Sequence, residues 1–448
     1  MRSKVDVFVL ILSVTSFLFL CPLSYATKSR LMGMGDLSVV IEDESNMINL
    51  WDFARNPAGL LEDEKAPVVR ADLFWDAYDI RNLRCGKPPL YYKCKADGGV
   101  FQVPTSTIFR REGNFALGLE SNYFFRQTDF KDTKSQFTYP EICLVFSKSL
   151  NSLTSVGADL AYVEYTSETS YKEAQSMTRF KTTYFRAEIG AGRRLSSELT
   201  LGALLGYDSM DSGKKYYTSD FHTFWLSLHS IVEVEQRFRL GLETVFNLRR
   251  ADFEHDFQGD QSYYFAYLRL RGLYDLTSSL RLGLFFSHNE LFSGFYYPVE
   301  TFLWPVSPDA FAVEHLGLGC SYKFNDNLLA GLEYHFRNSS EPDGNHPDWG
   351  FSHESLNLGL EGKLSRVFSV KGGYIRTEVN RNPETGWPGK ANTWGNVFTL
   401  GFGYQPHEGN LIFDLSYRYA FKKFEQWHIG WDVESERHVL SLSFKKIF

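Results

Sequence analysis

From Leu411 to Phe421 the chain alternates with a period of two. Leu411, Phe413, Leu415, Tyr417, Tyr419 and Phe421 fall on one face, and Ile412, Asp414, Ser416, Arg418 and Ala420 on the other. Successive side chains of a strand point to opposite faces, so one face here is apolar or aromatic and the other carries charge. The pattern recurs. Leu328, Ala330, Leu332, Tyr334 and Phe336 alternate with Gly331, Glu333, His335 and Arg337; Phe238, Leu240, Leu242, Thr244 and Phe246 with Arg239, Gly241, Glu243 and Asn247. Leu268, Leu270 and Tyr274 oppose Arg269 and Arg271, and Leu356, Leu358 and Leu360 oppose Asn357, Gly359 and Glu361. A soluble sandwich also alternates, but a broad, aromatic-ended apolar face on nearly every strand fits lipid outside and a polar lumen inside. The expected fold is all-β: a transmembrane antiparallel up-and-down β-barrel.

The N-terminus sets the compartment. Arg2 and Lys4 precede an apolar stretch from Val7 to Leu20, and Ser24-Tyr25-Ala26 closes it with small-residue character. This reads as a signal peptide over residues 1–26, too short for a stable spanning helix; a lipoprotein anchor at Cys21 is the weaker rival. Mean hydropathy is negative, yet aromatics make up 16% of the chain, with 39 Phe and 25 Tyr beside 35 Gly. That combination, with apolar residues spaced instead of clustered, suits a barrel in lipid. The net charge of −7, with no basic stripe, speaks against a nucleic-acid partner. The expected location is the bacterial cell outer membrane.

Tight connections fall at Arg111-Glu112-Gly113, Leu150-Asn151, Ser196-Ser197, Glu235-Gln236, Thr277-Ser278, Asn325-Asp326, Ser365-Arg366 and Glu408-Gly409. Longer polar stretches at 166–177, 251–260, 289–309, 338–350, 380–392 and 422–436 read as loops. Short turns alternating with long loops place the turns on the periplasmic side. Counting between them gives about 18 strands over residues 67–448, within a range of 14–18. The last strand, from His438, ends on Phe448; a terminal aromatic strand resembles the signal read by the barrel-assembly machinery, which is an expected partner together with outer-membrane lipid.

Residues 27–66 lack this alternation. Gly33-Met34-Gly35 is followed by acidic Glu42-Asp43-Glu44 and then by the turn-forming Asn56-Pro57-Ala58-Gly59. In order and rough spacing these three elements resemble the start of the outer-membrane barrel superfamily that includes the long-chain fatty-acid transporters and related barrels of type nine secretion. The resemblance implies that residues 27–66 fold into the lumen as a hatch, with Gly33, Gly35, Asn56, Pro57 and Gly59 as its motif. It further implies a plugged channel for uptake of small, hydrophobic molecules. A non-transporting barrel that scaffolds a secretion or surface complex, or a general porin, are the alternatives.

Arg239, Glu243, Arg269, Arg271, Glu333, His335, Asp414 and Arg418 fall on the polar faces and are expected to line the lumen. Opposite signs are interleaved, which favours an internal salt-bridge lattice over a selectivity ring. Arg269 and Arg271 stand out as neighbours able to attract anions. Tyr263, Phe265 and Tyr267 continue the same face and offer an aromatic surface to a small hydrophobic ligand, or packing for the hatch. Cys85 and Cys94 flank a hairpin-sized segment in an oxidising compartment and are candidates for a disulfide, with two free thiols as the alternative. No cofactor or metal is expected. Asp343–Gly350 has oxygen donors but no spacing of a calcium loop, and enzyme signatures such as His-Glu-x-x-His or Gly-x-Ser-x-Gly are missing.

Overall fold

The computed structural model describes residues 28–41, 56–60, 68–85, 92–111, 114–130, 133–171, 176–213, 218–235, 237–254, 261–292, 310–340, 351–381, 392–406, 411–426 and 431–447. The expected signal peptide, the acidic stretch after Ile41 and the Asp343–Gly350 loop lie outside them. Eighteen strands form one sheet. They are β1 (Val68–Cys85), β2 (Tyr92–Arg111), β3 (Phe115–Phe130), β4 (Thr133–Asn151), β5 (Thr154–Tyr171) and β6 (Ser176–Arg194). Then follow β7 (Leu199–Gly213), β8 (Thr218–Val234), β9 (Phe238–Glu254), β10 (Gln261–Asp275), β11 (Leu280–Phe292) and β12 (Ala310–Asn325). The last six are β13 (Leu328–Ser340), β14 (Phe351–Lys363), β15 (Phe368–Arg381), β16 (Asn392–Tyr404), β17 (Leu411–Gln426) and β18 (Trp431–Ile447). Each pairs antiparallel with its neighbours in sequence, and β1 also pairs with β18, so the sheet closes. Closure satisfies every strand edge, the condition for β-structure in a bilayer.

The strands run further than their apolar stretches. Residues 422–426 and 431–436, read above as loop, are ladder: Lys423 lies opposite Glu434 and Gln426 opposite Trp431. Residues 166–171 likewise pair with 176–181. An antiparallel ladder needs only backbone donors and acceptors, so pairing continues where side chains no longer need to face lipid.

On the outward face, apolar side chains meet across strands. Leu205 lies opposite Ile189 and Leu226, Leu226 opposite Phe246, and Leu358 opposite Leu332 and Tyr374. These rows are exposed: Leu205 by 59%, Ile189 by 67%, Leu400 by 65%. A water-soluble protein does not display so large a contiguous apolar surface. Lipid is its solvent, and the chain is a β-barrel of the bacterial outer membrane. Replacing Leu205 with arginine is therefore expected to cost about 2–4 kcal/mol at mid-strand, where Leu205→Ser would be mild. The heat-modifiable gel shift of the folded barrel measures it; equal shifts for both variants would contradict a lipid-facing position.

Candidate functional site in the barrel lumen

One short segment crosses the lumen. The helix Lys28–Gly33 ends in a left-handed cap: Gly35 has φ +75° and Asp36 φ 55°. The Asp36 amide donates back to the Leu31 carbonyl at 2.8 Å, which closes the last turn. Gly35 is required twice over, because a Cβ there would also lie 2.5 Å from the Leu358 carbonyl oxygen of β14. On both sides of the cap, Leu31, Met34, Leu37, Val39, Val40 and Ile41 form a buried apolar cluster against Phe285 and Leu329.

Polar groups on the barrel wall hold this segment. Glu333 on β13, fully buried, accepts from the backbone N–H groups of Ser38 at 2.9 Å, Val39 at 2.6 Å and Val40 at 2.8 Å. Arg271 on β10 donates to the Ser38 carbonyl at 2.9 Å. Arg418 on β17 pairs with Asp36, and Arg30 donates to Glu361 on β14 at 2.6 Å. Fourteen residues thus touch strands from β10 to β17, which is only open to a segment on the concave side of the sheet. The same face bears glycines where the segment comes closest. Cβ atoms at Gly359 or Gly373 would overlap backbone atoms of Met34 or Gly35, and at Gly283 one would lie 2.8 Å from the Val39 carbonyl oxygen.

A second anchor occupies the opposite wall. Asn56 caps the 3-10 turn Pro57–Gly59: its side-chain oxygen accepts from the Ala58 amide at 3.0 Å. Its Nδ2 donates to the Ala191 and Ala203 carbonyls at 3.2 and 3.1 Å and lies 2.9 Å from His229 Nε2. The turn sits on Gly157 and Gly190, neighbours in register across β5 and β6, where Cβ atoms would run into Pro57 and Asn56. Ser147 on β4 donates to the Ala58 carbonyl at 3.2 Å, and Leu60 packs against Ala116, Cys143, Val145 and Ala161. Asn56→Ala removes both bonds to strand carbonyls and the cap; a loss of about 1–3 kcal/mol is expected, read as earlier release of this segment to protease than in the parent protein. An unchanged digestion profile would contradict the anchor. Both anchors contact residues within a few positions of the short-turn ends, so they share the turn-side half of the lumen.

The remaining residues singled out above are placed as follows. Glu243, almost fully buried, binds Arg269 at 2.5 Å and accepts from Ser227 at 3.3 Å. Arg269 and Arg271 are therefore no open anion-attracting pair. One is neutralised by a carboxylate and the other is taken by backbone carbonyls, because a buried guanidinium requires acceptors. Asp414 pairs with Lys371. His335 lies 3.1 Å from both Glu333 and His315, extending the clamp into a short chain of imidazoles. Arg239, on the same face as Glu243, stands opposite Leu273 and Glu233 near the turn end. Tyr267 carries Arg269 over its ring, 5.7 Å from the centroid. The side chains of Tyr263, Phe265, Cys85 and Cys94 lie outside the described residues; in the backbone register Cys85 faces Tyr92 and Cys94 faces Leu83.

Lys371, Ser147 and the inward glycines were not singled out from the sequence. A signal for the glycines existed: Gly283, Gly317, Gly319, Gly331, Gly359 and Gly373 occupy polar-face positions where other strands carry charge.

Toward the loop end the inward face of β3–β5 is aromatic. Phe124 meets Phe137 and Tyr139 at 5.8 and 5.7 Å between centroids, and Tyr139 stacks on Tyr165 at 5.1 Å. Below these rings the wall is polar, with Asp159 holding Arg186 at 3.3 Å.

No protein-family model and no curated protein matches the chain. Solved structures do match its fold. The FrpB iron transporter from Neisseria meningitidis (F3-3 variant) superposes with a TM-score of 0.50 at 10% identity, covering 89% of this chain and 83% of that one. The siderophore receptor PiuA from Acinetobacter baumannii gives 0.50 at 9%, over 85% and 82%. What is shared is the fold. These are large outer-membrane barrels, and so is this chain. The Ralstonia pickettii toluene transporter TbuX aligns over 94% of this chain and 98% of that one at 13% identity. Its TM-score of 0.39 is too low to bear on fold or function.

Proposed function

We propose that this chain is a plugged channel for uptake of small, hydrophobic molecules across the outer membrane. The observation that carries the reading is the N-terminal segment held on two opposite walls of the turn-side lumen, beneath an aromatic wall at the loop end. The resemblance of Gly33-Met34-Gly35 and Asn56-Pro57-Ala58-Gly59 to the fatty-acid transporter superfamily points the same way. A scaffold for a secretion or surface complex is the second reading, favoured by lumen charges that largely neutralise one another. Proteoliposomes separate them. Uptake of a labelled hydrophobic solute by the intact protein, above empty vesicles, is the expected result, with little ionic conductance in planar bilayers. Steady large conductance would indicate a general porin, and absence of flux, with or without residues 27–66, would remove the transport reading.

A further inference from the structure

The carboxylate of Glu141 is unlike the others described in this lumen. It lies on β4, on the same face as Cys143, Val145 and Ser147, so it points inward; two residues beyond Cys143, which packs against Leu60, it sits about 7 Å along the strand from the docked segment, on its loop side. Its Oε2 is held in place by the Tyr139 hydroxyl at 3.1 Å and by the Asn122 amide at 3.5 Å. Asn122 also donates to the Tyr139 hydroxyl at 3.0 Å, so three side chains on two strands fix one orientation. No basic side chain among the described residues forms an ion pair with it, whereas Asp159, Glu243, Glu361 and Asp414 all have one. Arg186, inward on the adjoining wall, is shared between Asp159 at 3.3 Å and Glu188 at 3.6 Å. Tyr139, which donates to Glu141, belongs to a continuous ring cluster with Phe124, Phe137 and Tyr165.

A positioned carboxylate with no counter-ion among the described residues, beside a cluster of π-systems, is complementary to an organic cation: the carboxylate takes the charge and ring faces or edges take the apolar body. We propose that Glu141, Tyr139 and Tyr165, with Phe124 and Phe137, form a subsite for small molecules that join an ammonium or guanidinium group to a flat apolar body. This deepens the uptake reading, placing a binding station on the loop side of the plug, and rests on it for physiological meaning. The binding itself is tested separately from transport.

The test uses the full-length barrel in detergent and calorimetric titration with three probes of similar size: 2-phenylethylammonium, 2-phenylethanol and 3-phenylpropanoate. The ammonium is expected to bind at least about tenfold tighter than the other two. Glu141→Gln is expected to abolish that preference while leaving the weak binding of the alcohol unchanged, and Tyr165→Ala to weaken ammonium and alcohol alike. Folding of each variant is verified by its heat-modifiable gel shift. Equal affinity for the three probes, or an ammonium preference that survives Glu141→Gln, overturns the proposal. Binding with this signature but no flux in proteoliposomes would keep the subsite and remove the uptake reading.

Discussion

Glu333→Ala is expected to open the barrel. The substitution leaves the Ser38, Val39 and Val40 amides without their acceptor, two of them fully inside the packed lumen. An unsatisfied buried donor costs about 1–3 kcal/mol, so losing three together should shift the docked segment toward release by roughly two decades or more. The strands themselves are untouched, because Glu333 lies on the inward face and its backbone pairing is independent of its side chain. Planar bilayers should then record large conductance steps that the parent protein lacks, and trypsin should cut near Arg30. Glu333→Gln, which keeps a carbonyl acceptor but loses the charge, should fall between. A closed, protected Glu333→Ala variant would show that the clamp does not hold the segment.

Gly359→Ala should produce the same phenotype by a different physical route. The added methyl would enter the space of the Met34 carbonyl oxygen and come within 2.6 Å of Leu37 Cδ1. A backbone carbonyl cannot rotate away as a side-chain tip can, so the segment must lift from the wall. Gly362, three residues along on the outward face, is the control: a Cβ there meets only Val370 Cγ2 at 3.9 Å. Gly362→Ala should therefore leave conductance and stability close to the parent. If both variants behave alike, close approach of the plug backbone is not what Gly359 permits.

How far each feature was legible depends on the range of the forces behind it. The Leu411–Phe421 alternation announced a strand with one apolar face, and eight tight turns located the strand boundaries at one end. The strands are longer than the pattern implies at 422–426 and 431–436 because pairing there rests on backbone hydrogen bonds, which leave no hydropathy pattern. The inward face of Arg269 and Arg271 followed from period two, but not their engagement. Glu243 is 26 residues from Arg269, and the carbonyl that binds Arg271 is 233 residues away.

The sequence by itself determined the barrel: period-two alternation repeated some eighteen times has one low-energy solution when the solvent is lipid, with apolar faces out and the sheet closed. It also marked the N-terminal segment as something other than strand, through Gly33-Met34-Gly35 and Asn56-Pro57. Only the tertiary structure decided where that segment rests and which carboxylates hold it. Those contacts join residues separated by hundreds of positions, and their partners are chosen by strand register and the curvature of the closed sheet, neither of which is written in any local stretch of chain.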